Sequence, residues 1–227
     1  MSRRRKLSFA WRVQTMLLLA TLFALSLLAI RMFVSQEIHL GFLAWNLFLA
    51  WIPVPLAFWL RFELKKRPWM TWQNLLITFT WLLFLPNSFY VITDALHLTF
   101  SEPSYLIFDI ALIFSIIVNS MILGYISVFM VHRQLMIRHA VTKAHLMISG
   151  VFILSGFGIY LGRYLRWNSW DVLASPFGLI FDLSEIIIHP FANWQAYSTT
   201  LVYAGLIGVF YAITYEFIGL VGEWNKK

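Results

Sequence analysis

Long apolar stretches separated by short polar ones dominate this chain of 227 residues. A hydrocarbon core about 30 Å thick needs roughly 20 mostly apolar helical residues to cross it. The pattern therefore predicts six transmembrane helices, over about 13–30, 38–60, 71–92, 105–131, 144–161 and 198–220. It also predicts a seventh helix over about 176–189, which is too short and too charged to span and should lie flat on the outer surface. The predicted fold is all-α: a polytopic membrane helix bundle forming a single integral membrane domain, 1–227.

Composition agrees with this pattern. Apolar residues make up 60% of the chain and charged residues only 12%, against roughly 25% charged in an ordinary soluble domain. A cytosolic enzyme and a nucleic-acid reader are excluded, despite a net charge of +7. The absence of cysteine excludes disulfides, thiolate metal sites and cysteine nucleophiles.

The basic residues predict the orientation of the bundle. Of the 17 lysines and arginines, all but Arg31, Arg163 and Arg166 fall on the side of the amino terminus. Basic residues in short loops stay in the cytoplasm, so both termini are expected there. The high pI then matches anionic membrane lipids, which are the expected partners, and not nucleic acid. The predicted inner loop after the fourth span also holds His132, His139 and His145.

Small residues recur at helical spacing on the last two spans. Gly158 and Gly162 form one such pair, and Ala204, Gly208 and Ala212 form a second set. Small residues let helices approach closely, either within one bundle or across the seam of a homodimer or another membrane-protein complex.

The end of the third span carries a polar stripe within the segment LPNSFYVITDALHL. Asn87, Tyr90, Asp94 and His97 are spaced 3, 4 and 3, which places them on one helical face. Asp94 and His97 could share a divalent cation, the candidate cofactor, or Asp94 could orient His97 as a general base. The alternative is that these side chains cap and hydrate the helix end.

Charged side chains also occur near the outer ends of the fourth and fifth spans. Asp109 lies one turn inside an apolar stretch, where a charge is costly unless it is paired, hydrated or protonated. Its expected partners are Arg163, Arg166 and a protonated His97. The two arginines could pair with Asp94, Asp109 or Asp171, bind an anion in a bidentate fork, or extend toward lipid headgroups.

Three segments, LPNSFYVITDALHL, SYLIFDI and GRYLRWNSWDVLASP, resemble a family of bacterial integral membrane proteins known only as a domain of unknown function. The motifs are Pro-Asn, Thr-Asp-x-x-His and Arg-x-x-Arg-x-Asn-Ser-Trp-Asp. The resemblance implies a multi-pass fold in the bacterial cytoplasmic membrane, and it implies no activity.

Three function classes remain. The first is a non-catalytic membrane protein whose outer polar cluster binds an anionic headgroup, a cation or a partner protein. The second is an enzyme acting on lipid-linked or cell-envelope phospho-substrates, with His97 as base, Asp94 orienting it, and Arg163 and Arg166 holding phosphate. The third is a small-solute transporter. The binding residues expected in common are Asn87, Tyr90, Asp94, His97, Asp109, Arg163, Arg166 and Asp171.

Overall fold

A computed structural model of the chain describes residues 3–224, with side chains described from 11 to 221. Helices account for all of the regular structure in this part of the chain. The α-helices are α1 (Arg3–Ser35), α2 (Phe42–Trp51), α3 (Pro53–Glu63), α4 (Trp72–Tyr90), α5 (Leu106–Arg138), α6 (Val141–Tyr164), α7 (Asp171–Ala174), α8 (Pro176–Ile188) and α9 (Trp194–Trp224). Two 3-10 helices, His39–Gly41 and Val91–Phe100, precede α2 and follow α4.

Six membrane-spanning segments, as predicted, are long and apolar enough to cross a bilayer. They run over Trp11–Ser35, His39–Glu63, Trp72–Phe100, Leu106–Arg138, Val141–Tyr164 and Trp194–Val221. Each overlaps its predicted span and most extend beyond it, because the helices continue into polar residues at the membrane boundary. The protein is therefore a multi-pass membrane helix bundle.

Prolines interrupt the second and third spans. Pro53 and Pro55 lack the amide hydrogens that would continue the ladder from α2, and the helix breaks at Ile52. Serine side chains on neighbouring helices satisfy backbone carbonyls around this break: Ser88 Oγ donates to the carbonyl of Ala50 at 2.9 Å. Ser127 Oγ likewise donates to the carbonyl of Pro53 at 3.1 Å.

Helix α5 lies at the centre of the bundle and packs against α1, α2, α3, α4 and α6. Helix α9 packs chiefly against α6. Of the small residues predicted to allow close contact, Gly158 and Gly162 do so within the bundle, whereas Gly208 lies at an ordinary distance from Phe152 and Ala212 is exposed. A Cβ built on Gly158 would lie 2.6 Å from Cγ of Pro86, and one built on Gly162 would lie 3.2 Å from the ring of Tyr90. Gly156 fits equally closely against the α9 backbone beside Ala204.

The bundle has two distinct ends. We call the end that carries residues 36–38, 101–105 and 165–193 the motif end, because the polar motifs lie there. The opposite end, with residues 64–71, 139–140, the first turn of α1 and the last turn of α9, is the basic end.

Helix α8 lies at the motif end and has the bounds expected for the surface helix. Ile186 packs against the bundle, whereas Phe177, Phe181 and Ile187 are exposed. The apolar residues of α8 are therefore divided between the bundle and the surroundings. Asp182 of α8 accepts a hydrogen bond of 2.7 Å from Trp167 Nε1, so this carboxylate is bonded to the protein as well as facing the surroundings.

Candidate functional site

Asp94 is the one acidic residue of the third span and is buried, with 1% of its surface exposed. Its Oδ2 accepts a hydrogen bond of 2.8 Å from Asn46 Nδ2 on α2. Asn46 stands alone as an amide in an otherwise apolar segment, and it lies 48 residues from Asp94 in sequence. The contact ties the second span to the third close to the motif end.

His97 shares a 3-10 helix with Asp94, and side chains three residues apart eclipse in such a helix. No hydrogen bond joins the two, however, within the part of the chain whose side chains are described. The imidazole of His97 packs on Phe42, with ring centroids 4.5 Å apart, and Asp94 is held by Asn46 instead. Of the alternatives for this pair, the orientation of His97 by an Asp94 hydrogen bond is not formed here, because the carboxylate is bonded to the α2 amide.

Arg163 is half-buried near the end of α6, and Arg166 is exposed just beyond it. Arg163 lies close enough to Asp94 and His97 to interact with both electrostatically. Neither arginine forms a hydrogen bond or an ion pair with another side chain between residues 11 and 221. Arg166 adopts a left-handed backbone conformation, with φ of 59°, where α6 turns into the link to α7.

The expected pairing of Asp109 with Arg163, Arg166 or His97 is wrong. Asp109 instead binds Arg31, through Nε to Oδ1 at 2.7 Å and Nη2 to Oδ2 at 3.3 Å. Helix α1 continues to Ser35, beyond the predicted end of the first span, and so carries Arg31 alongside the first turn of α5. The guanidinium also lies over the ring of Tyr105, 4.1 Å from its centroid. This pair joins α1 to α5 and has no described contact with Asp94.

Asp171 does not pair with any arginine whose side chain is described. Its Oδ2 accepts hydrogen bonds from the backbone N–H of Asn168 at 2.7 Å and from Asn168 Nδ2 at 3.2 Å. These bonds shape the turn before α7. The carboxylate therefore has a local role in the backbone of the link.

The two longest sequence motifs meet in space. Asn87 Nδ2 donates to Ser169 Oγ at 2.9 Å, across 82 residues of sequence. Ser169 Oγ in turn donates to the carbonyl of Leu83 at 2.8 Å, beside the stretch of α4 where Pro86 interrupts the hydrogen-bond ladder. The Pro-Asn motif and the Asn-Ser-Trp-Asp motif thus form one connected structure.

A cavity of about 480 Å³ opens where these motifs meet. Its walls come from α2, α4, α6, the link after α6, and single residues of α7 and α8. Asn46, Asn87, Tyr90, Asn168 and Ser169 supply the polar part of the lining. The remaining wall is apolar or aromatic: Trp45, Leu49, Phe79, Leu82, Leu83, Pro86, Leu154, Phe157, Gly158, Leu161, Gly162, Trp167, Val172 and Leu179. We call it the motif cavity.

The predicted binding residues are thus separated into four groups. Asn87 and Tyr90 line the motif cavity, and Asp94, His97 and Arg163 form a charged cluster that shares the Asn46 contact with it. Asp109 belongs to the Arg31 pair, and Asp171 and Arg166 lie in the link after α6. The side chains described contain no group of three or more His, Asp or Glu residues placed to hold a metal ion.

Sequence reasoning missed Asn46, Arg31 and Trp167 as members of these networks. Each is a single polar group in an apolar or aromatic context, and its partner lies on another helix. An amide or a guanidinium within a membrane span is costly unless it has a polar partner. That cost was the signal in the sequence that Asn46 and Arg31 must each have a partner on another helix.

The prediction that His132 and His145 lie in a loop is also wrong, because His132 belongs to α5 and His145 belongs to α6. His132 is 1% exposed, and its Nδ1 lies 2.9 Å from the hydroxyl of Tyr211. Its ring meets that of His145 edge-on, with centroids 4.8 Å apart. This aromatic cluster joins α5, α6 and α9 near the basic end.

A protein-family model matches the chain over residues 45–211, and its description is "Protein of unknown function (DUF1361)". The matched region contains the motif cavity and the charged cluster, and it omits α1 with Arg31. No curated protein and no solved structure matches the chain significantly.

Proposed function

Since this chain belongs to the DUF1361 family, whose description carries no function, we propose a function from the site itself. The protein binds the headgroup of an anionic membrane lipid at the motif end, without catalysis. The phosphate or carboxylate of the lipid contacts Arg163, the rest of the headgroup enters the motif cavity, and the acyl chains lie against the apolar wall.

The convergence of two distant motifs on one cavity carries this proposal. Asn87 and Ser169 hydrogen-bond each other at the cavity wall, and Asn46 connects the cavity to Asp94. A volume of about 480 Å³ falls within the roughly 300–1,000 Å³ typical of small-molecule sites. Mostly apolar walls with a few convergent polar groups are what an amphipathic ligand requires.

The distribution of hydrogen bonds favours an anion over a cation. The nearby carboxylates already accept hydrogen bonds: Asp94 from Asn46, Asp171 from Asn168, and Asp182 from Trp167. Arg163 keeps all its guanidinium donors free of bonds to the side chains described. A half-buried guanidinium in a membrane span is stabilised by an acidic partner, and lipid phosphate supplies one.

Binding without turnover is favoured over the enzymatic alternative. A general base needs an orienting partner within hydrogen-bond reach. Asp94 is bonded to Asn46, and His97 packs against Phe42. The arrangement supports recognition of a headgroup better than abstraction of a proton.

The same proposal includes the orientation of the bundle. The basic end carries Arg61, Lys65, Lys66, Arg67, Arg133, Arg138 and Lys143, and basic residues in short links favour the cytoplasmic side. We place the basic end and both termini in the bacterial cytoplasm, and the motif cavity in the outer leaflet of the cytoplasmic membrane.

Lipid binding tests the proposal directly. The protein in phosphatidylcholine nanodiscs is titrated with phosphatidic acid of the same acyl chains, and bound lipids are counted by native mass spectrometry. Losing a charge-assisted hydrogen bond costs about 1.5 kcal/mol of binding free energy, at the low end of the usual range because Arg163 is only half-buried. This loss raises the Kd about tenfold. Arg163→Gln should weaken the binding of phosphatidic acid by that factor.

Arg133→Gln is the matched control, because it removes the same charge from an exposed arginine at the basic end. It should change the Kd by less than about twofold, since exposed charges contribute little. Equal Kd values for wild type, Arg163→Gln and Arg133→Gln would contradict the proposal.

A further inference from the structure

The polar lining of the motif cavity is uncharged and rich in amides. Asn46, Asn87 and Asn168 contribute side-chain amides, while Tyr90 and Ser169 contribute hydroxyls. The charged groups nearby, Arg163 and Asp94, do not line the cavity. An ionic headgroup alone would use the arginine and would leave this amide-rich lining without a role.

Several of these polar groups retain hydrogen-bonding capacity after their described bonds are counted. The amide nitrogen of Asn87 donates to Phe84 and Ser169, which leaves its carbonyl oxygen as an acceptor. Asn46 uses one N–H on Asp94 and keeps a second N–H and its carbonyl oxygen. The hydroxyl of Tyr90 has no hydrogen-bond partner among residues 11–221. The cavity therefore offers donors and acceptors side by side.

Aromatic rings border the same space. Trp45 lines the cavity and is 52% exposed. Its ring lies edge-on to that of Trp170, with centroids 6.1 Å apart. The ring of Tyr90 packs close to the backbone at Gly162, where a Cβ would lie 3.2 Å from it. The flat apolar rings of Trp45 and Tyr90 therefore line the same cavity as the side-chain amides.

We infer that the headgroup bound in the motif cavity carries a sugar ring. A sugar hydroxyl both donates and accepts hydrogen bonds, which side-chain amides and a tyrosine hydroxyl match group by group. The C–H faces of a sugar ring are apolar and pack on aromatic rings. The inference rests on the proposed lipid-binding function: Arg163 contacts the acidic group, and the cavity selects the sugar.

The test compares four lipids with identical acyl chains in phosphatidylcholine nanodiscs, each titrated into the full-length protein. The probes are diacylglycerol, glucosyl-diacylglycerol, phosphatidic acid and phosphatidylinositol, the last of which combines a phosphate with a polyhydroxylated ring. Glucosyl-diacylglycerol should bind at least about tenfold more tightly than diacylglycerol, as expected for two or more net hydrogen bonds. Phosphatidylinositol should likewise bind more tightly than phosphatidic acid.

Two variants assign the sugar preference to the cavity without removing a described hydrogen bond. Tyr90→Phe deletes one hydroxyl, and Trp45→Leu deletes an exposed ring. Each should reduce the ratio of Kd values between diacylglycerol and glucosyl-diacylglycerol by roughly threefold to tenfold. Trp59→Leu is the matched control, because Trp59 is 54% exposed in the same span but lies toward the basic end. It should leave the ratio unchanged.

The outcomes separate the two proposals. Equal Kd values for diacylglycerol and glucosyl-diacylglycerol would overturn the sugar inference, even if phosphatidic acid binding still depends on Arg163. Suppose instead that glucosyl-diacylglycerol binds more tightly than diacylglycerol, but phosphatidic acid does not. That result would overturn the anionic part of the proposed function and support the sugar inference. A sugar preference that survives Tyr90→Phe and Trp45→Leu would place the sugar outside the motif cavity and overturn the inference.

Discussion

Removal of the Asp109 carboxylate is expected to destabilise the bundle strongly. Arg31 and Asp109 are 4% and 1% exposed, and they form two hydrogen bonds, at 2.7 Å and 3.3 Å. Removing one partner of a buried ion pair leaves the other charge uncompensated, which costs about 3–5 kcal/mol. Nη1 of Arg31 already lacks a hydrogen-bond partner, and without Asp109 the guanidinium would keep its contact with the Tyr105 ring but no carboxylate bonded to it.

The size of the loss should depend on what replaces the carboxylate. In Asp109→Asn one oxygen remains to accept the short bond from Nε, so the free energy of unfolding should fall by about 3 kcal/mol, the lower end of that range. In Asp109→Leu no acceptor remains, and the loss should approach about 5 kcal/mol. The double variant Arg31→Met, Asp109→Leu should recover to within about 1 kcal/mol of wild type, because no buried charge is left.

These free energies can be measured by SDS titration of the purified protein in mixed micelles, with circular dichroism and tryptophan fluorescence as independent probes. Glu102→Gln is the control, since it removes an exposed carboxylate at the same end of the bundle, and it should change stability by less than about 0.5 kcal/mol. A loss below about 1 kcal/mol in Asp109→Leu would show that the Arg31 charge is not left uncompensated in the bundle. A double variant as unstable as Asp109→Leu would attribute the loss to packing and not to charge.

Three further predictions concern packing, a buried hydrogen bond and α8. Gly158→Ala should lower the free energy of unfolding by about 1–3 kcal/mol, because the new Cβ would lie 2.6 Å from a rigid proline ring. Its control is Gly150→Ala, where nothing lies within 4 Å of the new Cβ, and this change should leave the free energy of unfolding unchanged or raise it by up to about 1 kcal/mol. In the same SDS titration, Ser127→Ala should lower the free energy of unfolding by about 1–3 kcal/mol, because it leaves the buried N–H of Trp81 without an acceptor. Ser149→Ala, at an exposed position, should be near neutral, and equal losses in the two variants would contradict this prediction. Trp167→Phe removes the hydrogen bond to Asp182 and should speed deuterium uptake in α8 without changing uptake in α5; unchanged uptake in α8 would show that this bond does not hold the helix.

Much of the fold was predictable because hydropathy alone determines where a chain can cross a bilayer. The six spans and α8 follow from runs of apolar residues and from their lengths. Helix ends were predicted less well, since α1 and α5 continue past the apolar runs into polar residues. That difference matters chemically, because these extensions carry Arg31 and His132 to their partners.

The site was predictable as a set of residues but not as a set of contacts. Helical spacing grouped Asn87, Tyr90, Asp94 and His97, and the first two do line one cavity. Spacing within one helix cannot reveal a partner on another, so the bonds from Asn46 to Asp94 and from Arg31 to Asp109 were not foreseen. These pairings depend on how α1 and α2 pack against their neighbours, which a periodic pattern does not encode.

Photo-crosslinking of lipid to the protein locates the bound headgroup directly. A phosphatidic acid with a diazirine on the acyl chain close to the headgroup is incorporated into nanodiscs, irradiated, and located by peptide mass spectrometry. If an anionic lipid occupies the motif cavity, adducts should be concentrated on cavity-wall residues such as Leu82 and Leu161. Their yield should fall about tenfold in Arg163→Gln and stay unchanged in Arg133→Gln. Adducts spread evenly over exposed membrane-facing residues such as Leu22 and Phe23, with the same yield in all three proteins, would contradict the proposed function.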